Sequence, residues 1–217
     1  MRGSVPKPTA RTPRHIAAAA LVSLGAAAAA LAYYFTPEYS RVGYAPIQPV
    51  AFSHRTHVGE LGMDCRYCHD AAERAERANL PPASTCMDCH NQILIDDPRL
   101  APLQEAVQTE RPLPWIRVHA LPDYVAFSHA AHLRRGVACV ECHGRVDRTD
   151  RTREEKSLSM RFCLDCHRAP ETRLRPLEKV FDPTWTPPKG EEGAALSKAL
   201  ARRWSVRRLT DCSACHR

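Results

Sequence analysis

The chain has 217 residues with 10 Cys, 18 Pro and only 6% aromatic residues, and its formal net charge is +7. A mean hydropathy of −0.41 with a single long apolar run excludes a polytopic membrane protein. A cysteine share of about 5% is below the density of a small disulfide scaffold. So few aromatic side chains indicate that something other than side chains fills the middle of the fold.

The amino-terminal segment has the composition of a membrane anchor or a signal peptide. Residues 1–15 carry four basic residues and no acid, and residues 16–35 carry no charge. A helix over that apolar run is about 30 Å long, the thickness of a bilayer core. The positive-inside rule then predicts a transmembrane anchor over 16–35, with 1–15 in the cytoplasm and the remainder outside. A cleaved signal peptide is the alternative, because small residues occur near 28–32.

Every cysteine lies in one of five C-x-x-C-H motifs. The cysteines are Cys65, Cys68, Cys86, Cys89, Cys139, Cys142, Cys163, Cys166, Cys212 and Cys215, and the histidines that follow them are His69, His90, His143, His167 and His216. This motif attaches a c-type haem: the two thiols bond to one porphyrin edge and the histidine ligates the iron. Zinc ribbons would not require a histidine after each pair, and five pairs leave one unmatched. The sequence therefore predicts five covalently bound haem c groups.

Haem also alters the meaning of the net charge. A ferric haem with two ionised propionates carries a charge of −1, so five of them lower the charge from +7 to about +2. We therefore predict no nucleic-acid partner.

Six histidines remain, and His15 precedes the predicted span. The other five equal the irons in number and are His54, His57, His119, His129 and His132. A haem with histidine on both sides has no open position, so it transfers electrons without binding substrate. We predict all five as distal ligands. Met63 and Met160 compete for such a position, and a methionine ligand would raise the potential.

A duplicated unit organises these histidines. The string V-A-F-S-H-x-x-H occurs twice, 75 residues apart, each time ahead of two C-x-x-C-H motifs. Histidines at i and i+3 share a helix face, so one short helix can ligate two haems. The repeat predicts two-haem units over 51–100 and 125–170, with a fifth haem over 205–217. His119 stands outside both repeats and ligates an iron by elimination, the fifth being the first candidate. Which distal histidine serves which iron stays open.

Strand signals are sparse along the rest of the chain. The predicted fold is mostly α-helical and irregular, with short helices and loops around a haem stack and at most one small hairpin, plus one N-terminal transmembrane helix. Prolines mark 36–50 as a linker and 101–124 as a second one. A helix is predicted over 191–203, with acids first and bases last. The whole of 51–217 is then a pentahaem domain outside the cytoplasm.

The F-S-H-x-x-H string before C-x-x-C-H resembles the class III, bis-histidine multihaem cytochromes c. The single span, the five motifs and the string P-W-I-R-V-H-A-L-P-D-Y-V-A-F-S-H are similar to the pentahaem cytochrome c subunit of alternative complex III. The resemblance covers most of 50–170 and the last motif.

It implies a non-catalytic periplasmic relay on the bacterial cytoplasmic membrane. The partners it implies are an iron–sulfur or molybdopterin-like subunit, quinol-binding membrane subunits, and a monohaem cytochrome c or terminal oxidase.

Two other functions are alternatives. A self-sufficient quinol dehydrogenase resembles small anchored multihaem cytochromes, in which the first haem follows the span closely and takes a methionine just after its motif. Here 29 residues separate Phe35 from Cys65, and Asp70 follows His69. A catalytic multihaem reductase needs an open haem, which five regular motifs and five spare histidines oppose.

Overall fold

The computed structural model describes residues 12–35 and 41–216, which belong to two separate units. The first unit contains helix α1, Thr12–Tyr34, and the second begins at Val42. Parts of the predicted cytoplasmic segment (1–11) and of the first linker (36–40), and Arg217, lie outside the described residues.

Helix α1 is long and apolar enough, over Pro13–Tyr34, to cross a membrane. It begins at Thr12 rather than at residue 16, because a proline in the first turn of a helix loses no hydrogen bond. None of its apolar window is buried. An anchor and a signal sequence both fit this helix.

The second unit consists of short helices. The α-helices are α2 (Cys65–Cys68), α3 (Ala83–His90), α4 (Ala101–Gln108), α5 (His129–Leu133), α6 (Cys139–His143), α7 (Met160–Arg168), α8 (Gly190–Arg203) and α9 (Cys212–Cys215). A π-helix covers Arg55–Glu60, and 3-10 turns cover Pro98–Leu100, Val146–Arg148, Pro170–Arg173 and Leu177–Lys179. Over the described ranges, bridges outside helices are two isolated antiparallel pairs, Val125 with His216 and Val137 with Leu174. The mostly helical and irregular fold is confirmed, without the small hairpin.

One predicted helix is confirmed and one predicted linker is wrong in part. Helix α8 covers the predicted range 191–203, with two acids in its first turn and two arginines in its last. The linker over 101–124 begins instead with α4, which packs on α3. Pro102 lies in the first turn of α4, where its missing N–H is no loss. Leu103 is only 2% exposed, so tertiary burial outweighs the local proline signal.

The beginning of the second unit is docked rather than extended. The Gly43 N–H donates to the Glu154 carbonyl at 2.8 Å. The Gln48 side chain exchanges hydrogen bonds of 2.8 and 2.9 Å with the backbone of Ile116. Val50 is buried beside α3 and α4. Residues 42–50 therefore belong to the folded unit.

The buried apolar side chains form small clusters. One cluster contains Val50, Ala83, Leu100, Leu103 and Ala106, and another contains Ala72, Leu133 and Val180. Among the described residues, no large side chain is fully buried. Burial of apolar area is the main stabilising term of a fold, so clusters this small leave the middle of the unit for another group.

Candidate functional site: paired histidines

Each C-x-x-C-H motif lies in a helical turn or at the end of a helix. Helices α2, α6 and α9 begin at the first cysteine of a motif, whereas α3 and α7 end at or just after its histidine. The Asp64 side chain caps α2 and the Ser159 side chain caps α7. Two thiols three residues apart on a helical turn lie on the same side, where both reach one porphyrin edge.

Four of the motif histidines face a second histidine across a gap of constant width. The ring centres are 6.5 Å apart for His54 and His69, 6.2 Å for His57 and His90, 6.3 Å for His129 and His143, and 6.1 Å for His132 and His167. An imidazole–metal bond is about 2 Å long and the ring centre lies roughly 1 Å beyond the nitrogen, so two opposed imidazoles on one metal are about 6 Å apart. Each pair therefore fits one iron.

The remaining iron positions are left to a porphyrin. Within the described ranges, no group of three or more His, Cys, Asp or Glu side chains could hold a metal ion. Each pair of imidazoles would hold a haem iron, and that haem would supply one-electron transfer. With two thiols beside each pair, the residues present fit a covalently attached haem.

Hydrogen bonds at Nδ1 orient most of these rings. Six donate to backbone carbonyls at 2.8–3.0 Å: His57 to Ser53, His132 to Ser128, His69 to Asn79, His90 to Ile93, His129 to Glu76 and His167 to Leu209. Donation from Nδ1 leaves Nε2 as the nitrogen available to a metal. The two other paired rings have side-chain partners: His54 Nδ1 is 3.1 Å from Thr152 Oγ1, and His143 Nδ1 is 3.4 Å from His119 Nε2.

Burial keeps three of the paired imidazoles neutral. Desolvation, reinforced by neighbouring histidines, lowers the pKa of His54 to about 4 and that of His143 to about 3. Desolvation also lowers the pKa of His132, partly opposed by its hydrogen bond to Ser128. A metal ligates only the neutral ring, so burial prepares these side chains for iron.

A phenylalanine lies between the two distal histidines of each unit. Phe52 stacks on His57 with ring centres 4.4 Å apart and meets the edge of His54 at 4.9 Å. Phe127 lies 4.6 Å from the corresponding second ring and 4.8 Å from the first. Sequence analysis missed this positioning role, although the phenylalanine recurs in the repeated string.

In each two-haem unit, the first distal histidine makes a hydrogen bond to a residue of the other two-haem unit. His54 reaches Thr152 in the segment after α6, and His129 reaches the Glu76 carbonyl in the segment after α2. These partners are 98 and 53 residues apart in sequence. No local signal marks Thr152 or Glu76, so sequence analysis missed both.

Neighbouring cysteines order the five motifs in space. The interacting thiols are Cys86 with Cys68, Cys65 with Cys139, Cys142 with Cys163, and Cys163 with Cys215. A hydrogen bond to Cys65 raises the pKa of the Cys139 thiol, and it joins the first motif to the third. These interactions bring the second motif near the first, the first near the third, the third near the fourth and the fourth near the fifth.

The fifth motif has different surroundings. In the part of the chain that the structure describes, which includes all eleven histidines, the ring beside His216 is that of Tyr124, with centres 5.7 Å apart. The motif is held by a 2.7 Å hydrogen bond from the Ala126 N–H to the Cys215 carbonyl.

His119 lies against His143 rather than opposite His216. The two ring centres are 4.4 Å apart with an angle of 86° between their planes. The distal role of His119 therefore stays a prediction from elimination. Met160, the competing ligand, is 66% exposed at the start of α7.

Comparison with known proteins agrees with the geometry. Residues 125–217 match the family described as cytochrome c7 and related cytochrome c, over a span that holds three of the five motifs. The chain is a multihaem cytochrome c. Covalent haem of this type implies that the folded unit beginning at Val42 lies outside the cytoplasm.

One multihaem cytochrome c subunit is similar to part of this chain. The menaquinone reductase, multiheme cytochrome c subunit, of Nitratidesulfovibrio vulgaris is 40% identical over 97 residues. The match covers 44% of this cytochrome and 45% of that protein, so it spans less than half of either.

Proposed function

We propose that this multihaem cytochrome is a non-catalytic electron-relay subunit with five haems in a quinone-linked respiratory complex. The observation that carries the proposal is the set of four imidazole pairs 6.1–6.5 Å apart. Each haem, when bound, supplies one-electron transfer. Histidines on both sides of an iron leave no position for a substrate, so the chain's own ligands favour transfer over catalysis.

The spatial order of the motifs supports a relay with two ends. The Cys86 thiol in α3 interacts with the first motif and the Cys215 thiol in α9 with the fourth, whereas the first and third motifs interact with each other. An electron entering at one end then reaches the other by passing between neighbouring sites. The middle contact between Cys65 and Cys139 joins the two units into one path.

The membrane helix supports placement in an assembly. We assign α1 as a retained, single-pass anchor in the bacterial cytoplasmic membrane, with 1–15 inside and the pentahaem domain, 51–217, in the periplasm. Within the described ranges it is one helix that could span a bilayer, which is too little to enclose a quinone by itself. The resemblance to the pentahaem subunit of alternative complex III adds the partners: an iron–sulfur or molybdopterin-like subunit, quinol-binding membrane subunits and a monohaem cytochrome c.

Two directions of electron flow are open to such a relay. The resemblance favours quinol oxidation elsewhere in the complex, with electrons passing to a periplasmic cytochrome c or a terminal oxidase. The name of the similar protein from Nitratidesulfovibrio vulgaris favours the second candidate, in which electrons pass from the periplasm to menaquinone.

The test begins with the single chain, extracted from membranes in detergent and freed of partners. Menaquinol is added first and dithionite second, and haem reduction is followed by visible absorbance. If the chain is a relay, menaquinol does not reduce its haems and dithionite reduces them fully. Prompt reduction by menaquinol alone would overturn it and identify a self-sufficient quinol dehydrogenase.

The intact complex then separates the two directions. Haem reduction by menaquinol in the complex supports quinol oxidation. Reoxidation of pre-reduced haems by menaquinone, without the forward reaction, supports the second candidate. Amino-terminal sequencing of the same membrane-extracted chain shows whether α1 is retained.

A further inference from the structure

The Nδ1 partners of the paired imidazoles are of two kinds, and their significance rests on the proposed haem ligation. Six rings donate to backbone carbonyls, an arrangement that no side-chain substitution removes directly. The two exceptions are His54, which meets Thr152, and His143, which meets His119. The two exceptions belong to the first and third motifs, which interact with each other through Cys65 and Cys139.

We propose that Thr152 and His119 are positioning residues that tune the reduction potentials of the haems at the first and third motifs, and that His119 is not an axial ligand of the iron at His143. An acceptor at Nδ1–H strengthens the imidazole as an electron donor to iron. A stronger donor stabilises the ferric state and lowers the potential. The two side chains therefore set the potentials of the haems at the first and third motifs, through which an electron passes from one two-haem unit to the other.

The distances exclude His119 as a ligand of the iron at His143. Opposed ligands of one metal need ring centres about 6 Å apart, whereas these two centres are 4.4 Å apart. His129 already occupies the opposed position, at 6.3 Å from His143. The Nε2 atom of His119, a nitrogen that would ligate iron, is engaged with His143 Nδ1 at 3.4 Å.

Thr152 has an equivalent position at the first motif. Its Oγ1 lies 3.1 Å from His54 Nδ1, and the His54 ring is paired with that of His69. The threonine comes from the segment after α6, so the second unit supplies the acceptor for a ligand of the first. A hydroxyl accepts from Nδ1–H as a carbonyl does, but it can be removed without disturbing the backbone.

The experiment uses the full haem-loaded chain with Thr152→Val and His119→Leu, examined by redox titration and by electron paramagnetic resonance. In each variant one potential rises, the others stay, and the number of low-spin haems does not change. Thr152→Ser and His119→Gln keep an acceptor, so both are expected to return the potential toward that of the native chain.

Controls and contrary outcomes separate this role from ligation and from folding. Thr172→Val is the matched control, because the Thr172 hydroxyl donates to the Ala169 carbonyl and no histidine is involved. His57→Leu shows what loss of a ligand looks like, a new high-spin signal. Such a signal in His119→Leu would overturn the assignment of His119, and unchanged potentials in Thr152→Val or His119→Leu would overturn tuning. The spectrum of the native chain tests bis-histidine ligation separately.

Discussion

A π-helix carries His57 in the first two-haem unit of this cytochrome, whereas the same string forms α-helix α5 in the second. Seven residues separate His57 from Cys65, but six separate His132 from Cys139. A π-turn accommodates one extra residue within a helical segment. The ring geometry is nevertheless the same: the planes of the first pairs differ by 8° and 10°, and those of the second pairs by 60° and 64°. The π-helix accommodates the extra residue of the first two-haem unit, so the paired histidine rings have the same geometry in both units.

The prediction that both distal histidines share one α-helix therefore holds for the second unit alone. Residues 129 and 132 both lie in α5, capped by Ser128. In the first unit His54 lies just before the π-helix, and the Ser53 carbonyl still accepts from the second ring. What is common to both units is the pair of rings around a phenylalanine, not the helix beneath them.

The largest expected effect comes from removing one distal ligand in either unit. His57→Ala and His132→Ala each convert one low-spin haem to a high-spin, ligand-binding haem, because an axial position opens. Electron paramagnetic resonance and carbon monoxide binding measure this. Equal effects support the equivalence of the units, whereas a silent variant in one unit would break it.

A spectroscopic difference within each unit is expected from the ring angles. The orientation of two axial imidazoles sets the splitting of the ferric iron orbitals. The near-parallel and strongly twisted pairs therefore give two distinct classes of low-spin signal, each doubled by the repeat. Electron paramagnetic resonance of the oxidised chain checks this, and a single class would show that the angles change when haem is bound.

The two two-haem units meet where Gly59 of the π-helix packs against Asp147, and this contact has no room for a larger residue at position 59. A Cβ on Gly59 would overlap the carbonyl oxygen of Asp147. Gly59→Ala is expected to lower the free energy of unfolding by about 2–4 kcal/mol, a large effect for one residue. Denaturant unfolding of the haem-loaded chain measures it.

Gly62→Ala is the matched control for that contact. Gly62 has open space around it but a φ of +70°. Its substitution costs about 1 kcal/mol through left-handed backbone strain alone. Equal losses in the two variants would show that the Asp147 contact does not matter.

The smallest expected effect concerns acid stability of the same contact. Arg145 hydrogen-bonds Asp147 at 2.7 Å and holds the pKa of that carboxyl below its ordinary value of 3.8. A lowered folded-state pKa stabilises the fold above the unfolded pKa, and this is lost as pH falls through the folded pKa. Asp147→Asn should therefore lower the free energy of unfolding at neutral pH by about 1 kcal/mol, with the difference vanishing in acid. A difference independent of pH would point to shape rather than charge.

Much of the site was predictable because its signals are local. The five motifs and the repeated F-S-H-x-x-H string each lie within a few residues, and the apolar run and helix α8, with acids first and bases last, are continuous segments. The helix α4 was missed, because the buried contacts of Leu103 outweigh the proline next to it. The partners Thr152 and Glu76 were missed, because they lie far from their histidines in sequence.

The sequence by itself determined the haem-attachment motifs, the duplicated unit, the long apolar helix and the mostly helical, irregular class of fold. Those features depend on residue types at short spacing, where the geometry of one helical turn is enough. Only the tertiary structure decided that His54 pairs with His69, that the first motif touches the third, and that His119 lies beside His143. These contacts join segments tens of residues apart, and their free energy comes from packing between the two units rather than from local preference.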